Sequence, residues 1–434
     1  MNWDLISHLT WRANNMANVS SSNGLENRPK LRFPGFDEPY RVTTLGAVSS
    51  LVKRTDPQST APIMMLSAGN GFILQSDKYS RDNAGQSLKK YILLKKGEIA
   101  YNHGASKAKQ YGCCYELHEK EARIPYVYHC FKINDEEYTP YVALELNNSK
   151  MDKQLKRLVS SSVRMDGLLN ISFDDYMSIK ITLPCISEQR KISTFLKTLD
   201  KRIEKQRTLV EALKKYKRGL SNVLFDGLLE DSNSHLCTFG NVMTILQNNT
   251  FSRDDLSSDC DGIRNIHYGD VLIKYGALVD FRNTVIPSIR ANRDISKFSE
   301  SSYLQNGDVV FADTAEDYTV GKATEIIGAE NVAALSGLHT IPCRPQKKFA
   351  PMYLGYYFNS DYFKRQLYPM IQGTKVSSIS KSEMVKSKII IPNMQLQSRI
   401  ASILKALDDR IDAAKLTSAR IIEFRKGLLQ QLFI

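Results

Sequence analysis

The chain has 434 residues, more than one hydrophobic core usually holds, so two or three domains are expected. Its 42% hydrophobic and 24% charged content excludes wholesale disorder, and 59 Lys and Arg against 46 Asp and Glu leave a net charge of +13, favouring an anionic partner such as nucleic acid or a membrane surface. No run approaches the roughly 20 apolar residues of a membrane span, the N-terminus lacks a signal pattern, and the seven cysteines show no metal spacing; a cytoplasmic protein with reduced thiols is expected.

Residues 30–186 are rich in short apolar and β-branched stretches, such as Tyr91–Leu94 and Ile124–Phe131, punctuated by Gly, Pro and Asn. They predict strands of a mixed α/β domain. Between them lie polar loops. Arg81, Asn83, Gln86, Lys89 and Lys90 form one cluster, and Asn102, His103, Lys107 and Lys109 form another after Tyr101. Amide, ammonium, imidazole and aromatic groups are the types that read base edges and bind phosphate. For each residue alone, an ordinary solvated loop is the competing reading.

After Pro184 the pattern turns helical over residues 187–230, with Ser187 as the expected N-cap and Glu188 in the first turn. Apolar residues fall at spacings of four and three: Ile192, Leu196, Leu199, Ile203, Val210, Leu213, Leu220 and Leu224, with Gln206 and Lys217 at the remaining seam positions. From Glu188 to Phe225 this predicted helix carries eleven basic residues against four acidic ones. Residues 231–394 then return to strand-like stretches, including Val309–Phe311 and Ile389–Ile391. The polar segment Asp313 to Lys322, with Thr314, and the run Gly373-Thr374-Lys375 occupy places comparable to the first half's loops. A second heptad helix closes the chain over residues 395–434, with Ile400, Leu404, Leu407, Ile411, Ala414, Ile421, Leu428 and Leu432 on its seam and Ser418 and Arg425 as polar interruptions.

The two halves are copies. A shift of 208 residues aligns Ile171–Phe225 with Ile379–Phe433 without a gap, and 17 of the 55 positions are identical, far above chance. Fainter matches lie upstream: Gly97-Glu98-Ile99-Ala100-Tyr101 with Gly307-Asp308-Val309-Val310-Phe311, Thr44-Leu45-Gly46 with Thr238-Phe239-Gly240, and Pro140 to Asn148-Ser149 with Pro351 to Asn359-Ser360. Each heptad stripe is either buried on its own domain or paired with the other helix. The 3-4 alternation, the length and the repetition favour pairing, and an antiparallel pair would obey approximate two-fold symmetry. The expected fold class is α+β: two similar mixed α/β domains separated by two long antiparallel coiled-coil helices.

Catalytic chemistry is not legible. The phosphate-cradling Gly-x-x-x-x-Gly-Lys-Ser/Thr loop, the Asn/Asp-Pro-Pro-aromatic tetrapeptide of amino-methyltransferases and a zinc helix are all absent from the sequence, and lone histidines such as His103 and His339 are more often structural. Binding is the better class.

Pro29-Lys-Leu-Arg-Phe-Pro-Gly-Phe36 followed by Leu45-Gly46, the turn Leu183-Pro184-x-x-x-Glu188-Gln189-x-x-Ile192 leading to Leu199-Asp200, its repeat from Ile391-Pro392 to Asp408, and Gly307–Phe311 are the residues that carry a resemblance. The sequence resembles the specificity subunit of Type I restriction-modification enzymes over residues 30–434. The resemblance implies two target-recognition domains, residues 30–186 and 231–394, each reading one half of a split, asymmetric site in double-stranded DNA. It implies that the paired helices set the spacer. Methyltransferase subunits, two by symmetry, would dock on the helices and use S-adenosylmethionine; a restriction and translocation subunit would use ATP and Mg2+. This chain would hold no cofactor, metal or catalytic residue. Two departures stand out: Leu396 occupies the position of Glu188, and residues 1–29 are an extension, open between a segment completing the second half and a tail. The competing class is a coiled-coil scaffold or adaptor whose basic charge is incidental.

Overall fold

The structure, a computed structural model, describes residues 27–79, 85–107, 109–159, 169–259, 262–373 and 376–434. The chain forms two compact units, residues 1–205 with 417–434 and residues 206–416. Both boundaries fall inside long helices, so each unit holds one globular domain, the first part of that domain's own helix and the last part of the other.

In the first unit the strands and helices run β1 (Arg41–Thr44), β2 (Ser49–Leu51), β3 (Met64–Ser67), β4 (Gly71–Leu74), β5 (Ile92–Lys95), β6 (Glu98–Asn102), β7 (Cys113–Glu116), β8 (Glu121–Ile124), β9 (His129–Ile133), α1 (Thr139–Leu146), α2 (Asp152–Leu158), α3 (Phe173–Met177), β10 (Lys180–Leu183) and α4 (Ile186–Asp226). The central antiparallel sheet has the order β2-β9-β6-β7, while β1 pairs with β10, β3 with β4 and β5 with β8. Ile99, Tyr101, Phe131, Ile133, Tyr141, Tyr176, Ile181 and Leu183 form the core between sheet and helices. Ile192 and Leu196 of α4 enter the same core.

The second unit contains β11 (His235–Thr238), β12 (Met243–Ile245), β13 (Leu256–Ser257), β14 (Arg264–Ile266), α5 (Tyr268–Ile273), β15 (Leu278–Asp280), β16 (Ser288–Ile289), β17 (Val309–Ala312), β18 (Thr314–Ala315), β19 (Ala323–Ile327), β20 (Ala334–Ser336), β21 (Thr340–Pro345), α6 (Tyr353–Phe358), α7 (Asp361–Leu367), β22 (Ser377–Ser378), α8 (Lys381–Met384), β23 (Lys388–Ile391) and α9 (Met394–Leu432), whose last part belongs to the first unit. Its sheet β12-β21-β17-β19-β15 repeats the first unit's order and adds β15, parallel to β19. β11 pairs with β23 as β1 does with β10. A further four-stranded sheet, β13-β16-β14-β20, stands where the described residues of the first unit have only the pair β5-β8, with a parallel bridge from Ile63 to Arg123. The scaffold is thus duplicated while the insertions differ.

The repeated residues have matching jobs. Gly97 and Gly307 both stand at positive φ, 82° and 87°, in the turn that enters the central strand, a conformation natural to glycine. The acid that follows is buried and held by an arginine: Glu98 by Arg54 at 3.0 and 3.1 Å, Asp308 by Arg344 at 2.7 and 2.9 Å. Gln189 accepts from the Tyr138 amide and donates to the Pro184 carbonyl; Gln397 does the same with Ala350 and Pro392. This clamp explains why Pro and Gln recur five residues apart at each domain-to-helix junction. Asn359 bonds both the amide and the carbonyl of Ala323, and Asn147 does so with Cys114. The partner of Asn359 is therefore Asn147, one residue earlier than sequence matching places it, in step with the equivalent amides of Tyr138 and Ala350.

α4 starts at Ile186, so Ser187 lies inside the first turn and is not its N-cap; the Cys185 carbonyl accepts from Gln189. In α9 the cap is Asn393, whose side chain accepts from the Leu396 amide at 2.9 Å. Buried Glu188 receives Arg32 at 3.0 and 2.8 Å, with Tyr40 at 3.4 Å. Leu396 packs against the apolar core of the second unit instead. Arg32→Ala strands the carboxylate and is expected to cost about 3 kcal/mol. The double change Arg32→Leu with Glu188→Leu is expected to recover most of it, as chemical denaturation will report.

Both readings of the heptad stripe hold in part. In the first unit Ile192 and Leu196 share the domain core with Leu428 and Leu432; in the second, Ile400 and Leu404 share theirs with Phe225. Helix-on-helix packing alone joins Val210 and Leu213 to Ile411 and Ala414. Ile203 and Leu407 are buried, whereas Leu199, Leu220 and Ile421 are half-buried. The helices run antiparallel within each unit. Their polar seam residues are paired: Lys217 with Asp408 at 2.6 Å in one unit, Arg425 with Asp200 at 2.6 Å in the other. The two pairs are related by the same 208-residue shift. Partly exposed pairs of this kind add under about 1 kcal/mol each, but a polar seam residue with one partner fixes register. Among the described residues no helix is long and apolar enough to cross a membrane.

Candidate nucleic-acid interface

In both units the central strand, β6 or β17, ends in a polar loop met by the segment that leads into the junction. The His103 carbonyl accepts from Leu169 and the Asp313 carbonyl from Ile379, each at 2.9 Å. In the first unit this loop folds back over stacked Tyr101 and Tyr176, whose rings are 3.9 Å apart. His103 is drawn in with them, buried and 5.0 Å from the ring of His129. Asn102 is half-buried and accepts from the Gly104 amide at 2.9 Å. The Lys109 ammonium donates to the Asn147 carbonyl at the C-terminus of α1, where the helix dipole favours a cation. Lys322 does the equivalent in the second unit, donating to the Leu272 carbonyl of α5 at 2.8 Å, and burial lowers its pKa. Of the candidate DNA contacts, Lys109 and Lys322 are thus each held by a carbonyl at a helix end, and His103 is buried in the aromatic cluster. Lys89, Lys90 and Lys107 are exposed, with Lys90 lying 5.9 Å over the ring of exposed Tyr126. Arg81, Asn83, Thr374 and Lys375 lie outside the described residues.

The second unit gathers more. Segments around Asn248, His267, Asp313, His339 and Lys381 converge beyond the end of β17. Thr314 donates to Asp313 at 2.7 Å, and its hydroxyl oxygen lies 3.4 Å from Nδ1 of His339. Tyr268 meets His339 edge-on at 5.3 Å and packs on His267 at 4.6 Å. Burial, and then the charge of Arg253, push the His267 imidazole down to about 4, so it is neutral at pH 7, with Nδ1 accepting from the Gly269 amide. Arg253 and Lys274 bond buried Asp270 at 2.7 and 2.9 Å. Burial raises that carboxyl, but these two cations outweigh it and hold it below its usual range. Lys381 reaches Asn248 at 2.9 Å. Beside this group, Glu316, Asp317, Tyr318, Tyr368, Ile371, Gly373 and Ser377 line an open cleft of about 520 Å³, with Tyr318 84% exposed at its edge.

The segment from Asp313 and the Gly373 run were legible by residue type, whereas Asn248, His267, Tyr268, His339 and Lys381 were not. The sequence signal was Gly337 two residues before His339: a Cβ there would sit 2.6 Å from the Asn265 side chain. No three His, Cys, Asp or Glu side chains are placed to hold a metal ion among the described residues. The arrangement offers amide, hydroxyl, imidazole and ammonium groups on converging loops, the chemistry of base and phosphate recognition.

The family model for the Type I restriction modification DNA specificity domain matches residues 69–214 and 259–422, more than half of the chain. The chain belongs to that family. Each match covers most of one globular domain and the larger part of the helix that follows it, so the family's domain is matched once by each copy of the repeat. The chain is 23% identical, over 318 residues, to the Type I restriction enzyme MjaVIII specificity subunit of Methanocaldococcus jannaschii, covering 67% of this chain and 72% of that protein. A solved Type I restriction-modification system S subunit from M. genitalium superposes with a TM-score of 0.53 at 16% identity, covering 94% of this chain and 99% of that one. A chain from a study of complex assembly and conformational transition of the type I R-M system gives a TM-score of 0.54 at 16% identity, covering 92% and 98%. At such identities these two structures carry the fold alone.

Proposed function

We propose that this specificity subunit reads a split, asymmetric sequence in double-stranded DNA, one half-site with each globular domain. The observation that carries the reading is the duplicated scaffold with unlike insertions. Two equivalent frames hold two different sets of polar loops, which is what recognising two different half-sites requires. The antiparallel helix segments, equivalent by the same shift, offer matching surfaces to two copies of a methyltransferase subunit. That partner would supply S-adenosylmethionine chemistry, and a restriction and translocation subunit would use ATP and Mg2+. This chain itself performs recognition and no catalysis. Methylome sequencing of the host with and without the gene tests the reading. A two-part methylated motif that disappears with the gene is expected; a methylome without any such motif would sink the proposal.

A further inference from the structure

If the two domains read different half-sites, specificity resides where the copies differ. A clear difference is the four-stranded sheet β13-β16-β14-β20, where the described residues of the first unit have the pair β5-β8, and it rejoins the shared scaffold at Gly337–His339. The backbone there is pinned. Gly337 lies against Asn265 and Ile266 too closely for a side chain, and His339 is held at φ 53°. That left-handed conformation is costly for a residue with a Cβ and persists only where the surroundings impose it. The Asp313 amide donates to the His339 carbonyl at 3.1 Å, which ties the turn to the loop after β17.

The result is a fixed, half-exposed imidazole. Nδ1 lies 3.4 Å from both the Thr314 hydroxyl and an Asp313 carboxylate oxygen. Thr314 gives its own hydrogen to Asp313, so both oxygens act as acceptors towards the ring, and Nδ1 carries a hydrogen. Nε2 has no protein partner among the described residues. Arg253 and Lys274 on the neighbouring segments are paired with Asp270, and Lys381, which bonds the Asn248 amide oxygen, adds a positive charge that a phosphate could meet.

We propose that His339 is a base-reading residue of the second domain, its Nε2 contacting a base edge in the DNA major groove, with Asp313 and Thr314 as positioning residues that set its tautomer. With the hydrogen on Nδ1, Nε2 is the ring atom left to meet a base edge, and a lone pair there would select an exocyclic amino group, that of adenine or cytosine. The proposal rests on the DNA-reading function above and assigns part of it to named atoms.

The test uses the full chain with its methyltransferase partner in cells, read by methylome sequencing. His339→Ala is expected to relax the base preference about tenfold at one position of one half-site, leaving the other half-site and the spacer unchanged. Thr314→Val is expected to relax the same position less. His339→Asn, which tolerates the left-handed backbone and keeps an acceptor, is expected to fold and to alter preference there alone. A motif unchanged in all three variants, or altered in both half-sites, would overturn the assignment. Absence of any two-part motif with the unaltered chain would instead overturn the function on which it rests.

Discussion

A chain ending at residue 230 is expected to assemble as a two-fold dimer rather than remain a monomer. The first unit is incomplete without residues 417–434, which come from the other copy's helix. Leu428, Leu432 and Phe433 are buried in its core, Phe433 lies 5.2 Å from the Tyr141 ring, and Asn148 bonds the Leu429 carbonyl. Removing three large apolar side chains forfeits about 6 kcal/mol of burial, comparable with the whole stability of a domain. The distal part of α4 carries the same groups at the same places: Leu220, Leu224 and Phe225, with Lys217 for Arg425. Phe225 already fills such a socket in the second unit, 6.2 Å from Tyr353 and 5.6 Å from Tyr357. A second copy of the half-chain therefore offers the first a near-identical replacement, and Lys217 can meet Asp200. Light scattering after size exclusion will give the mass. A folded monomer would refute the argument, and Phe225→Ala in the half-chain is expected to abolish the dimer.

Much of this was written in the sequence, and the reason is locality. The junction Pro184–Gln189 and its repeat act within five residues, and the heptad seam within seven, so periodicity exposes them. The Gly97-Glu98 and Gly307-Asp308 matches were visible, but their partners Arg54, in the segment after β2, and Arg344, in β21, are distant in sequence and were not. Pairings such as β15 with β19 in parallel, or β14 with β20, join segments that share no local signal. The surroundings of the candidate contacts were hidden for a similar reason. His103 and Lys109 have the composition of DNA-binding residues, but an aromatic stack and a helix end elsewhere in the domain claim them. His339, discounted as a lone histidine, gains its meaning from Thr314, Asp313 and Tyr268, which lie 25, 26 and 71 positions away.

Removing residues 205–211 and 413–419 together is expected to shorten the unread spacer by about three base pairs while both half-sites persist. Both chain connections between the compact units lie within helices, at residues 205 to 206 and 416 to 417. A helical heptad is roughly 10 Å long, and base pairs rise about 3.4 Å each. Deleting seven residues at each site keeps the seam in phase, since Ile203 is then followed by Leu213 where Gln206 stood, and Ile421 takes the place of Ala414. Lys217 with Asp408 and Arg425 with Asp200 stay on their own sides of the cuts, so each unit retains its register pair. The first helix alone cannot be shortened to the same end. With α9 at full length, the helix pairs of the two units could not both keep the register fixed by their ion pairs, and one pair or the Phe433 contact would have to give way. The single deletion is therefore expected to destabilise the chain and lose methylation, and the paired deletion to move the spacer. Methylation mapping distinguishes the two, and a paired deletion that leaves the spacer length untouched would remove the helices from the measuring role.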